Sequence, residues 1–229
     1  MLKRTLQNIL HKRGKTYEID SNIPDGLILY TFYTRLLMLI RGILFLRKKV
    51  FLGSGVKFLN KSNFSFGSNV TIESHCILDG YASRKITLGD NSKIGMYSKL
   101  LSTSHLATYG KGLAIGNNSA VGDFTHFGAS GSITIGNDVI MGSFVSFHSE
   151  NHNFQDTTKL IREQGVTSKG IIIGNNIWVG ARVTFLDGCV VGDNSVVAAG
   201  AVVNGVFPAN SVIGGIPARI LKEIVLNEI

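Results

Sequence analysis

From about residue 52 the chain repeats in sixes. The unit is an aliphatic or aromatic residue, usually a glycine, and then four mostly polar or small residues, as at Ile135-Gly136, Met141-Gly142, Ile173-Gly174 and Val179-Gly180. A period of six fits neither a 3.6-residue helix nor a plain alternating strand. It fits a short strand and a turn wound repeatedly around a prism, with one inward residue per unit making the core. Glycine stands at 27 positions against 3 prolines, without a Gly-X-Y period, which calls for many tight turns rather than collagen.

A second signature marks one corner of the prism: Leu88-Gly-Asp-Asn, Ile115-Gly-Asn-Asn, Ile135-Gly-Asn-Asp, Ile173-Gly-Asn-Asn and Val191-Gly-Asp-Asn, with Phe66-Gly-Ser-Asn a weaker copy. Gly, Asn and Asp tolerate the left-handed backbone that such turns need. The last two copies are 18 residues apart, so one coil is three faces. Successive coils are expected to stack about 4.8 Å apart. The earlier intervals, 22, 27, 20 and 38 residues, carry 4, 9, 2 and 20 extra residues. In each coil the pattern fails after the third six, which begins at Leu78, Leu100, Phe127 or Phe147, so every insertion leaves from the same edge. The loops around His105, Ser130 and His152 are therefore predicted to stand one above another, with the bases of the His105 and His152 loops roughly 10 Å apart. The longest, "SFHSENHNFQ" and onward, places two histidines where a rigid scaffold permits function.

Charge separates the first fifty residues from the rest. Ten Lys/Arg stand there against Glu18, Asp20 and Asp25, a net of +7 out of +8 for the whole chain. No binding motif or interleaved aromatics accompany this charge, so no nucleic-acid partner is expected; an anionic membrane surface fits better. Leu2, Leu6, Ile9 and Leu10 follow helical spacing, with Gly14 as a stop. After a turn near Pro24, the segment LILYTFYTRLLMLIRGILFLRKK is long enough to span a bilayer, but Arg35 and Arg41 weigh against crossing. Thr31, Thr34, Arg35, Arg41 and Gly42 gather on one polar strip, which predicts a helix lying on a surface: the membrane, the following domain, or both. No apolar run ending in a small-residue cleavage site opens the chain, so a cytoplasmic location, with peripheral contact on the inner membrane face, is expected. Cys76 and Cys189 fit no metal or redox spacing and read as reduced core thiols.

These residues resemble the hexapeptide-repeat acyltransferases, and the repeat covers about residues 52–216. "NHNF", then "REQGVTSKGIIIGNNIWVGARVTFLDGCVVGDNSVVAAGAVV", then "GGIPARILKEI" are similar to the galactoside, maltose and xenobiotic acetyltransferases. They are more similar still to the O-acetyltransferases of bacterial capsule, O-antigen and exopolysaccharide synthesis. The resemblance implies a mainly β fold, a left-handed parallel β-helix assembled as a homotrimer, with acetyl-CoA as co-substrate, a carbohydrate acceptor and no metal. Charge, repeat and loop together divide the chain into an N-terminal helical segment, 1–50, a β-helix domain, 51–216, with a long loop at 148–171, and a short capping helix at 217–229 over the last coil's open edge. The resemblance assigns the catalytic histidine to His152 and the aromatic of the acetyl-CoA channel to Trp178. Gly180, Ala181, Ala199 and Gly200 would line the pantetheine arm, and Arg219 would lie near the nucleotide phosphates. Asn204 falls at a further cofactor position, where several relatives carry Thr-Lys and this chain has Asn204-Gly205. Asn151, Glu150, His148 and His105 are candidates for the acceptor side.

Acetyl transfer from a thioester to a hydroxyl requires a proton to leave the acceptor as its oxygen attacks. A neutral imidazole, with an ordinary pKa near 6.5, suits that work. The other ring nitrogen of His152 needs an acceptor, which Glu150, Asp156 or a loop carbonyl could supply. His126, His148 and His152 loosely imitate a three-histidine zinc site, although such a site leaves the Trp178 segment and the arginine tail unexplained. The main expectation is an O-acetyltransferase acting on a surface polysaccharide or its precursor. The alternatives are an enzyme for a small soluble acceptor such as a sugar, sugar nucleotide or antibiotic, and a non-catalytic scaffold.

Overall fold

The computed structural model describes residues 2–12, 18–103 and 105–225. Two helices, α1 (Leu2–Lys12) and α2 (Asp25–Leu46), precede a three-faced parallel β-helix. Face 1 holds nine strands, from Phe51–Leu52 to Ala218–Glu223. Face 2 holds seven, from Lys57–Leu59 to Val202–Val203, and face 3 seven, from Phe64–Phe66 to Val206–Phe207. Apart from the last strand of face 1, each strand pairs in parallel with its counterpart one coil on, as Ile140–Met141 does with Trp178–Val179. The inward residue of each six forms one continuous core, exemplified by Ile72, Ile94, Val121 and Val179 on face 1. On face 2, Phe127, Phe147 and Phe185 are wholly buried and their rings stack at 5.3 and 4.9 Å. Gly14 and Ser104 lie outside the described residues, as do the side chains of Leu2, Ile9 and Leu10.

Two corners show why these sequences turn. Between faces 3 and 1, Asn69, Asn91, Asn118, Asp138, Asn176, Asn194 and Asn210 all adopt left-handed backbone, as their residue type favours. Their side chains also ladder from coil to coil, Asn91 donating to Asn118 and Asn118 to Asp138, each at 3.0 Å. Between faces 1 and 2, the same conformation falls on His75, Tyr97, Phe124, Phe144 and Arg182. Left-handed backbone at bulky residues costs roughly 1–2 kcal/mol each. Stacking of neighbouring rings, at centroid separations of 5.0, 5.2 and 4.9 Å, offsets part of that at roughly 0.5–1.5 kcal/mol a pair.

The third corner, from face 2 to face 3, takes every insertion. Its connections run between strands ending at Leu59, Asp79, Leu101, Gly128 and His148 and those starting at Phe64, Ile86, Gly112, Ser132 and Ile171. Two buried aspartates pin this edge. Asp79 accepts the amide N–H groups of Tyr81 and Ser102 at 2.8 and 3.2 Å, and Asp187 plays a like part four coils on.

A capping helix is expected over 217–229, of which 226–229 lie outside the described residues, and the described part of the tail is not helical. Ala218–Glu223 is a strand, antiparallel to Ser211–Gly215 on face 1. The last coil leaves that strand's N–H and C=O groups unpaired, and pairing with the tail satisfies them. Gly215, at φ +100, makes the reversal possible.

Helix α2 packs on the first coil through its polar strip. The Arg35 guanidinium lies 3.6 Å from the centre of the Phe51 ring and donates to Thr71 Oγ1 at 3.1 Å. Arg41 donates to the Leu52 carbonyl at 3.4 Å. Gly42 sits where a Cβ would lie 1.8 Å from the Val50 carbonyl oxygen, so only glycine allows this approach.

Candidate active site

The long insertion begins at His148 and is fixed at once by Ser149, which is buried. Its hydroxyl donates to the Gly128 carbonyl at 2.7 Å and accepts the Gly131 N–H at 2.9 Å. The chain then rises as Asn151–His152, paired antiparallel with Val166–Thr167 so that His152 stands opposite Val166. Gln164 holds the hairpin from inside. Its amide accepts the Asp156 N–H at 3.0 Å and donates to the Asp156 and Lys159 carbonyls at 2.8 and 3.1 Å. Asn153 Nδ2 donates to the Gln164 carbonyl at 3.0 Å. The returning end is caught by Asp187, whose carboxylate accepts the N–H of Lys169 at 2.8 Å and of Gly170 at 2.7 Å. Lys111, on the loop two coils below, donates to the Ser168 carbonyl at 3.4 Å, so the two long loops touch as their shared edge predicts.

An open groove of about 1100 Å³ lies between this hairpin and the coils above it. Asn151, His152, Asn153 and Thr167 form one wall; Lys169, Leu186, Asp187 and Asn204 belong to the other. The His152 imidazole is exposed in it and has no hydrogen-bond partner among the described residues. Of the partners suggested by sequence, Asp156 is already engaged with Thr158 and with Lys159 at 3.2 Å. The bonds from Thr158, and then Lys159, hold its carboxyl below the usual carboxylate range.

The other acceptor-side candidates are dispersed. His148 is exposed at the end of a face 2 strand, its ring centre 5.8 Å from that of His126. Burial of His126, and then the charges of His148 and Lys99, lower its pKa. Glu150 is half-buried beside Asn151. His105 lies outside the groove, accepting the Ala107 N–H on its own loop at 3.1 Å. Among the described residues, no group of three His, Cys, Asp or Glu side chains is placed to hold a metal. Burial pushes the Cys76 and Cys189 thiols up to about 11 and about 12, leaving both protonated and away from the groove.

The residues assigned to acetyl-CoA sort into two places. Trp178, 61% exposed, stands on face 1 between Ile140 and Val196 of the neighbouring coils. Gly180-Ala181 and Ala199-Gly200 stack at the adjoining corner, where Gly200 donates to the Ala181 carbonyl at 2.9 Å. A Cβ at Gly180 would lie 2.5 Å from the Ala199 nitrogen, which explains that glycine. Arg219 continues the row on the added strand, opposite Gly214. Asn204, however, lies in the His152 groove. The edge carrying His152 is opposite face 1, so one chain presents His152 and Trp178 on different sides of the prism.

Sequence reasoning missed Asp187 and Gln164. For Asp187 a signal exists: Leu186-Asp187-Gly188 repeats the triplet Leu78-Asp79-Gly80 at the same edge, one residue later in the coil. Gln164 carries none, because its partners are the loop's own backbone.

The bacterial transferase hexapeptide (six repeats) family matches residues 170–205. WbbJ of Escherichia coli K12, named for O-acetyl transfer in lipopolysaccharide biosynthesis, is 32% identical over 146 residues, 60% of this chain and 71% of WbbJ. The galactoside O-acetyltransferase of the same organism is 34% identical over 125 residues, 51% of this chain and 57% of that enzyme, so the chain spans little more than half its length. The crystal structure of the hexapeptide-repeat acetyltransferase VCA0836 of Vibrio cholerae with acetyl coenzyme A superposes with a TM-score of 0.53 at 28% identity, covering 60% of this chain and 70% of that one. With its three-faced coil, its single insertion edge and these relatives, the chain belongs to the hexapeptide-repeat acyltransferases and shares their left-handed parallel β-helix.

Proposed function

We propose that the protein is an acetyl-CoA-dependent O-acetyltransferase that acetylates a sugar hydroxyl of a surface polysaccharide or its precursor, with His152 as general base. The observation that carries this reading is the placement of His152 in an open groove at the base of a hairpin pinned by Asp187 and Gln164. An acceptor hydroxyl in that groove gives its proton to the imidazole as its oxygen attacks the thioester carbonyl. The tetrahedral intermediate collapses, the carbon–sulfur bond breaks, and the thiolate takes up a proton as coenzyme A leaves. A covalent acyl-cysteine has no support, since both thiols are buried and protonated.

Trp178, Gly180, Ala181, Ala199, Gly200 and Arg219 form a row with an apolar face, open backbone and a terminal cation, which suits a pantetheine arm ending in phosphates. Because this row and His152 lie on different sides of one prism, we assign the working form to a homotrimer with one copy's hairpin facing the next copy's row. Asn204, in the groove, belongs on this reading to the acceptor side or to the far end of the co-substrate.

Incubation with acetyl-CoA and with lipid-linked or soluble glycan fractions, followed by free thiol, tests the reaction. Glycan-dependent release should fall by about 10²–10⁴ in His152→Ala while the oligomer persists; undiminished turnover would remove the mechanism. The similarity to a galactoside O-acetyltransferase favours a second reading, a small soluble sugar as acceptor. Release with the soluble fraction alone would select it.

A further inference from the structure

Helix α2 is turned the opposite way from a helix that meets water. The charged part of its polar strip is used up inside, Arg35 on Phe51 and Thr71 and Arg41 on Leu52, with Gly42 against Val50, while the exposed Thr31 and the half-buried Thr34 donate to carbonyls of the helix itself. Ten large apolar or aromatic residues along it are each between 43% and 71% exposed, and Leu29, Phe32, Tyr33, Leu36, Ile40 and Leu44 among them gather on the outer side. A continuous apolar surface of this kind marks a binding site rather than ordinary surface scatter.

The surroundings specify the partner by charge. Arg47, Lys48 and Lys49 follow the helix directly and are exposed. Lys48, Lys61 and Lys85 surround a groove of about 370 Å³ beside Leu46, Phe64 and Phe66. Across residues 1–50, ten basic residues stand against three acidic ones. Apolar residues flanked by a basic rim complement an anionic lipid bilayer, whose acyl region takes the first and whose phosphates take the second.

We propose that α2 docks the protein on an anionic bilayer surface, with its outer side in the interface and Arg47, Lys48, Lys61 and Lys85 at the headgroups. Burying the same side against a second copy would instead bring two strongly cationic segments together with nothing to neutralise them. A crossing orientation would strip Arg35 and Arg41 of their partners on the first two coils. The docking surface stands independently of the enzyme's chemistry. Its consequence rests on the transferase reading: the acceptor is a glycan held at a membrane, reached by a hairpin that leaves the fifth coil, roughly 19 Å along the prism from the first.

Sedimentation of the full-length chain with vesicles reads binding without turnover, so failure here is separate from failure of the acetyltransferase assay. Bound protein should rise roughly ten-fold when phosphatidylglycerol is added to phosphatidylcholine vesicles, and fall again in high salt. Leu36→Glu/Leu44→Glu should abolish binding, and Lys48→Glu/Lys49→Glu should weaken it severalfold, each with the oligomer intact by light scattering. Wild-type protein that stays in solution with phosphatidylglycerol vesicles would overturn the proposal. So would Leu36→Glu/Leu44→Glu protein that sediments normally, or that loses its oligomer, since the face would then be a subunit contact. Resistance of the cellular protein to alkaline carbonate extraction would overturn it in favour of a spanning helix.

Discussion

His126 shows how a single side chain couples the coil to pH. It is half-buried on face 2, and burial together with His148 and Lys99 lowers its pKa. The folded chain therefore binds that proton less readily than the unfolded chain does. Stability should fall as pH drops through the unfolded value near 6.5, and the loss should stop once the folded site also titrates. His126→Gln removes this contribution, so its melting temperature should drop less than that of the wild type between about pH 7.5 and about 5.5. Equal drops would show that other groups govern acid sensitivity. Local chemistry made some positions readable in advance: the Asn and Asp turns were, because their left-handed backbone is a property of the residue itself. The row of His75, Tyr97, Phe124 and Phe144 was not. Its members sit at positions that local preference disfavours, and insertions space Phe124 and Tyr97 by 27 residues but Phe144 and Phe124 by 20, which hides the register.

Among the elements, the hairpin depends on one buried carboxylate. Asp187 accepts three amide contacts from Lys169 and Gly170, and hydrogen bonds to a charged acceptor contribute roughly 1.5–3 kcal/mol. Asp187→Asn keeps the shape but presents a donor to those amides. It should speed hydrogen exchange at Lys169 and Gly170 and reduce glycan-dependent turnover, with the melting transition of the β-helix itself unchanged. Unchanged exchange at both amides would show that the hairpin is held elsewhere. The insertion edge was legible because a fixed six-residue period makes every departure visible. The tail was not, since its choice between helix and strand is made by the unpaired edge of Ser211–Gly215 rather than by its own sequence. The side on which α2 packs escaped prediction for a similar reason: a polar strip normally faces water, yet Arg35 finds Thr71 across 36 residues of chain.

For the whole molecule, the decisive feature is the separation of His152 from the Trp178–Arg219 row across the prism. Sequence alone named both groups and left their relation open, because the six-residue repeat fixes which face a residue occupies but not how copies meet. A subunit-shared site predicts complementation. His152→Ala chains and Trp178→Ala/Arg219→Ala chains should each form oligomers with little glycan-dependent thiol release. Co-expressed, they should form mixed oligomers in which an intact hairpin faces an intact row, and release should recover to a substantial fraction of the wild-type rate. Mixed oligomers no more active than either parent would contradict the shared site, and with it the pairing of His152 with the row on face 1.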